Sequence, residues 1–171
     1  MQMYRPAVDA KPAVRLTSRT ITHVSDWLNR NSIEILRVSL GMIFLLFGAL
    51  KFVPGASPAE ELVMRTLDTL SMGLVPGRAA VVITAMTECF IGITLMSGRL
   101  LRSGLCVLAI SLVGIMSPLV LFYSDLFPGA PTIEGQYVLK DIVLAAAGLV
   151  IAARALGGRL VSDDHSGAER P

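Results

Sequence analysis

Glu88 stands in the middle of an apolar run, residues 79–96, with Thr84 and Gly92 one helical turn to either side. In a helix rising about 1.5 Å per residue it lies roughly 13 Å from either end of that run. If the run is in lipid, so short a side chain cannot reach water. The carboxyl must then be protonated, paired or hydrated. Other charges punctuate apolar runs in the same way. Arg37, Gly41, Phe44, Gly48 and Lys51 share one stripe by alternating spacings of four and three, and Asp141, Leu144, Gly148 and Ala152 share another, with Lys140 beside it. Charges in such runs face neighbouring helices or a wet cavity, and glycines on the same stripe let a second helix come close.

Glu88, Arg37, Thr84, Lys51, Lys140 and Asp141 are therefore the candidates for a ligand or proton site. Lys51 and Asp141 fall on the same side of the membrane and are expected to pair, with Lys140 nearby. Arg37 and Lys51 are each close enough to a helix end to snorkel toward water, and Arg37 reaches Glu88 only if its guanidinium turns inward. The competing possibility is that these charges only lock helices into register. Metal chemistry lacks ligands: His23 and His165 are in the tails, and Cys89 and Cys106 form no CxxC pair or zinc spacing. No metal and no bound haem are expected, and Cys89, a thiol in an apolar run, reads as packing.

The elements that must position these groups follow from composition. Of 171 residues, 53% are hydrophobic and 16% charged, with a mean hydropathy of +0.66. An ordinary soluble domain has roughly a quarter charged residues. A helix needs about 20 apolar residues to cross a bilayer, and four runs qualify, 33–53, 79–96, 103–123 and 137–156. The expected fold is all-α: a polytopic, four-transmembrane-helix bundle with a short external amphipathic helix between helices one and two. The net charge of +2 is scattered, which excludes a nucleic-acid surface.

Boundaries can be read in part. The first span is expected to begin after Asn31, with Glu34 completing a capping box, and to stop at Pro54-Gly55. Ser57, Pro58 and Glu60 form a second cap pattern before Val63, Leu67, Leu70 and Leu74, which recur at helical spacing. Pro118 should kink the third helix and open space beside it. Residues 125–136, with Pro128, Gly129, Pro131 and Gly135, should make an ordered turn. The fourth run is the weakest because Lys140, Asp141 and Arg154 interrupt it.

Residues 1–30 lack the apolar core of a signal peptide and read as a retained tail. Leu16, Ile21, Val24 and Leu28 suit a helix on the membrane surface, and an unstructured tail is the alternative. Basic residues concentrate in this tail (Arg5, Lys11, Arg15, Arg19, Arg30), at Arg99 and Arg102, and at Arg154, Arg159 and Arg170. The opposite side has only Arg65 and Arg78. By the positive-inside rule both termini are cytoplasmic, giving a tail 1–30, a membrane domain 31–157 and a tail 158–171.

Three segments carry a family resemblance. LRVSLGMIFLLFGALKFVPG (36–55), ECFIGITLMSGR (88–99) and PTIEGQYVLKDIVLAAAGLVI (131–151) resemble, in that order, the helices of the DoxX-like membrane proteins. The chain is similar also to their YkgB-type branch, which includes inner-membrane proteins linked to reactive-chlorine resistance. The resemblance implies a four-helix domain in a bacterial cytoplasmic (inner) membrane and a link to thiosulfate:quinone oxidation. It also implies anchoring of a soluble oxidoreductase or thiol-handling partner. From it Arg37, Gly48, Lys51, Glu88, Lys140 and Asp141 are carried over, with quinone as the one candidate ligand and a homo-oligomer as a further expectation. Three functions stay open: an accessory or anchoring subunit of a redox or oxidative-stress system, a sulfur-compound:quinone oxidoreductase in its own right, and a small proton-coupled transporter using Glu88.

Overall fold

A computed structural model of the protein describes residues 12–158, with side chains from Ile21 onward. Arg5, Lys11, Arg159, His165 and Arg170, used above for topology and metal chemistry, lie outside the described residues. Those residues form helices α1 (Pro12–Leu50), α2 (Glu60–Leu70), α3 (Arg78–Ser97) and α4 (Leu101–Met116), then α5 (Pro118–Leu121), α6 (Tyr123–Leu126) and α7 (Ile133–Ala155). No strand occurs among them.

By their contacts the residues divide into two units at Ile35/Leu36. The first unit is the opening part of α1, whose Ile21, Val24 and Leu28 line one apolar, exposed face. The cap expected at Asn31 does not form. Asn31 instead donates from Nδ2 to the Trp27 carbonyl at 2.8 Å, and Arg30 donates from Nε to the Asp26 backbone carbonyl at 3.1 Å. Side chains that bond one turn back reinforce a helix rather than end it, and no proline stands between Pro12 and Pro54 to break it. The helix therefore runs unbroken through this segment from Pro12, the first of the described residues.

In the second unit α1, α3, α4 and α7 contribute to one core. Leu40, Phe44, Ile91, Leu95, Leu108 and Ile151 are its buried members. Small residues set how close the helices come. A Cβ on Gly92 would lie 2.6 Å from the Leu45 nitrogen, and one on Gly48 would lie 2.9 Å from the Cys89 nitrogen, so α1 and α3 run antiparallel with backbones almost touching. Gly104 receives the Thr94 side chain between α4 and α3, and Gly148 receives Leu108 between α7 and α4.

Pro118 ends α4, as its missing N–H requires. The Gly114 carbonyl, which that N–H would have bonded, accepts instead from Ser117 Oγ at 2.7 Å. The chain then turns through α5 and α6, and Thr132 caps α7 by accepting from the Gly135 nitrogen at 3.1 Å. The cap pattern before α2 is used otherwise. Glu60 accepts from the Gly55 nitrogen and from Arg78, both at 2.7 Å, and so ties the segment after α1 to the start of α3.

Three stretches among the described residues are long and apolar enough to cross a membrane: Ile21–Leu50, Arg78–Ser97 and Leu101–Leu121. α7 is not among them, since Glu134, Lys140, Asp141 and Arg154 lower its apolar character. Large apolar side chains point outward along these stretches, with Ile110 and Val113 each 74% exposed. A water-soluble fold would bury them, so the surroundings they fit are lipid.

Candidate functional site

A cavity of about 350 Å³ lies in the second unit, walled by α1, α2, α3, α4 and α7. Phe44, Phe47, Leu62, Ile83, Ile115 and Leu144 make much of its wall, so the space is mainly apolar. Its size and lining are those of a small-molecule site, where a few convergent polar groups fix orientation. Here those groups are Lys51, Glu88, Asp141, Thr66, Tyr137 and Ser111. Small side chains and the broken helix leave the room: Gly114 and Pro118 both border it.

The centre is an ion pair. Lys51 Nζ donates to Glu88 Oε2 at 2.6 Å, and the two side chains are only 5% and 9% exposed. Lys51 sits one residue past the end of α1, and the near contact of Gly48 with α3 brings its stem alongside Glu88. The expected Lys51–Asp141 pair is thus replaced by Lys51–Glu88, and Lys51 turns inward instead of snorkelling. The physical reason is depth. A mid-helix carboxylate has no route to water, while a flexible four-carbon stem can travel to it. Burying either charge alone would cost several kcal/mol, roughly, so the longer partner moves.

Asp141 lines the same cavity, within electrostatic reach of both Glu88 and Lys51. It forms no ion pair with a described residue. Thr84 also borders the space, but its hydroxyl donates to the Ala80 carbonyl at 2.9 Å, leaving only lone pairs toward the cavity. Thr87 does the same with the Ile83 carbonyl.

Two candidates are elsewhere. Arg37 donates to the carbonyls of Leu95 and Met96, at the far end of α3 from the cavity. α3 has no basic residue in its own last turn, so α1 supplies the cation that its carbonyl end favours. Lys140 is exposed, with Nζ 5.0 Å from the centre of the Tyr137 ring, and does not border the cavity. Its neighbour Asp141 points a different way because successive helical residues are about 100° apart.

Three bordering residues had no place among the sequence candidates: Thr66, Tyr137 and Ser111. Thr66 is 4% exposed, and its Oγ1 has no hydrogen-bond partner among the described residues. The signal was present in the sequence, since Thr66 is a polar residue on the apolar stripe of α2 with Val63, Leu67 and Leu70. Tyr137 meets Phe47 edge to face at 6.4 Å, closing the wall between α7 and α1.

Cys89, half-buried, packs its Sγ against Gly48 between α3 and α1. No group of three or more His, Cys, Asp or Glu residues that could hold a metal is found among the described residues. Chemically the site can hold a flat or elongated apolar body and hydrogen-bond its polar end. A family model described as DoxX matches residues 32–124, from the middle of α1 to the first residues of α6. No curated protein and no solved structure matches the chain.

Proposed function

The chain belongs to the DoxX family, and from that premise we propose that this multi-pass membrane protein is an accessory subunit of a redox or oxidative-stress system that holds a quinone ring in its cavity. The observation that carries this is the cavity itself: about 350 Å³, apolar on most sides, with the Lys51–Glu88 pair in its wall. A quinone has the matching form, an apolar ring and tail with polar atoms on the ring. Lys51 keeps two N–H donors beyond the one given to Glu88, and these suit a carbonyl oxygen.

The membrane arrangement belongs to the same proposal. α7 is the fourth span, since Val143 and Leu149 are 68% and 72% exposed and fit lipid, while its charges gather toward its ends and the cavity. The bundle sits in a bacterial inner membrane with both termini cytoplasmic and α2 on the external side, covering the cavity's mouth. The basic residues at Arg99 and Arg102 against the sparse external loops support that orientation. A reporter active only in the periplasm should be silent when fused after Arg170, and a signal there would reverse the topology. An exporter cycling a free glutamate is less well supported, because Glu88 is held by Lys51.

Binding is tested with full-length protein in nanodiscs and a short-chain benzoquinone. Saturable binding is expected, and Gly114→Leu should abolish it, since a Cβ there meets nothing within 4 Å and the added side chain can enter the cavity. Absence of saturable binding in the wild type would remove the proposal. Quinone reduction by thiosulfate with the purified chain alone would make it an enzyme rather than an accessory subunit.

A further inference from the structure

The hydrogen-bonding groups around the cavity are unevenly matched. One N–H of Lys51 and one oxygen of Glu88 satisfy each other, so that pair adds no net charge, and the two N–H donors left on Lys51 can serve a ring oxygen of either redox form alike. Thr84 and Thr87 have given their protons to backbone carbonyls and offer only lone pairs. Asp141 remains, a carboxylate on the cavity wall that feels the charge of Lys51 but makes no ion pair with it or with any other described residue. Thr66 remains too, nearly fully buried, with a hydroxyl that has no partner among the described residues. Tyr137 and Ser111 hydroxyls can turn to either role.

An ionised carboxylate facing apolar walls requires a hydrogen-bond donor, and leaving it unmatched is costly. A molecule whose polar atoms only accept would bring no proton to Asp141 and would place its own lone pairs against the carboxylate. A molecule with ring hydroxyls would donate one to Asp141 and use Thr66 as the partner of another. We propose that the cavity selects a ligand with hydroxyl donors, so that within the quinone proposal above, on which this rests, it holds the dihydroxy (quinol) form in preference to the oxidised form. Asp141 is the selecting residue and Thr66 the second anchor.

The test uses three forms of one short-chain ring on the full-length protein in nanodiscs: the quinone, the quinol kept reduced without oxygen, and the quinol's dimethyl ether. The ether keeps the shape of the reduced ring but has no donor. The quinol should bind at least about tenfold tighter than either, as loss of a charge-assisted hydrogen bond implies. Asp141→Asn should bring the quinol and quinone to within about threefold, because an amide both donates and accepts. Thr66→Val should weaken the quinol more than the ether.

If no form binds, the quinone proposal fails and this one with it. If quinone and quinol bind within about threefold of each other in the wild type, or the ether matches the quinol, ligand binding stands and donor selection is overturned. Tighter binding of the quinone would mean that Asp141 itself donates, which also overturns it. The wild-type series decides these outcomes even if a variant does not fold.

Discussion

Lys51→Met strands Glu88. The ammonium and carboxylate are 2.6 Å apart and the side chains 5% and 9% exposed, so neither can be screened by water where it stands. Removing one partner of such a pair costs about 3–5 kcal/mol, most of it the unmatched charge rather than the lost hydrogen bond. Glu88→Leu should fall at the low end of that range. Lys51 lies just past the end of α1, and its stem can swing back toward water, an escape Glu88 lacks. The double variant, Lys51→Met with Glu88→Leu, should return to within about 1–2 kcal/mol of wild type, since apolar side chains of similar volume replace a buried pair with little loss. The measurement is reversible unfolding of all four proteins in mixed micelles, followed by helical circular dichroism. Strong coupling, with the double more stable than either single, is the expected result. Singles that each cost under about 1 kcal/mol, the range of an exposed pair, or a double that simply adds the two losses, would refute the buried-pair reasoning.

Gly92→Ala should destabilise by about 1–3 kcal/mol, since its Cβ would come within 2.7 Å of α1 backbone, whereas Gly114→Ala, facing open space, should be neutral or stabilising in the same unfolding assay. Arg37→Leu removes the donors to Leu95 and Met96 and should cost about 1–3 kcal/mol while leaving quinone binding unchanged; weakened binding would return Arg37 to the site. Arg78→Ala releases Glu60 and the carbonyls of Lys51 and Phe52, so hydrogen exchange over 51–63 should speed up. Arg65→Ala breaks a pair with Asp125 whose side chains are 54% and 52% exposed and should change stability by less than about 1 kcal/mol.

The sequence by itself determined that the chain is helical and belongs in a membrane, because the scarcity of charge and the length of the apolar runs are properties of composition and order alone. It also marked the close-packing faces. Gly41, Gly48 and Gly92 sit at helical spacing, and the cost of a Cβ between two helices is local. The break at Pro118 was equally legible, since a proline's missing donor acts on its own helix whatever lies outside, whereas the turn expected over 125–136 gives way to α7 already at Ile133, where Thr132 supplies a cap.

Helix starts were less legible. Asn31 and Glu34 match a cap pattern, yet a side chain amide bonds the preceding turn as readily as the following one, and the residues before Asn31 continued the helix. Pairing was decided by tertiary structure alone. Lys51, Asp141 and Glu88 all face inward by periodicity, but which charge meets which depends on the antiparallel register of α1 against α3, set by backbone contacts at Gly48 and Gly92. That register places the lysine stem beside the mid-helix glutamate and leaves Asp141 to the cavity. It also carries Arg37 to the other end of α3, where exposed carbonyls compete for it. Thr66 joined the site for the same reason: an isolated helix shows a polar residue on an apolar stripe, and only the helices packed over it decide that its hydroxyl is buried without a partner among the described residues.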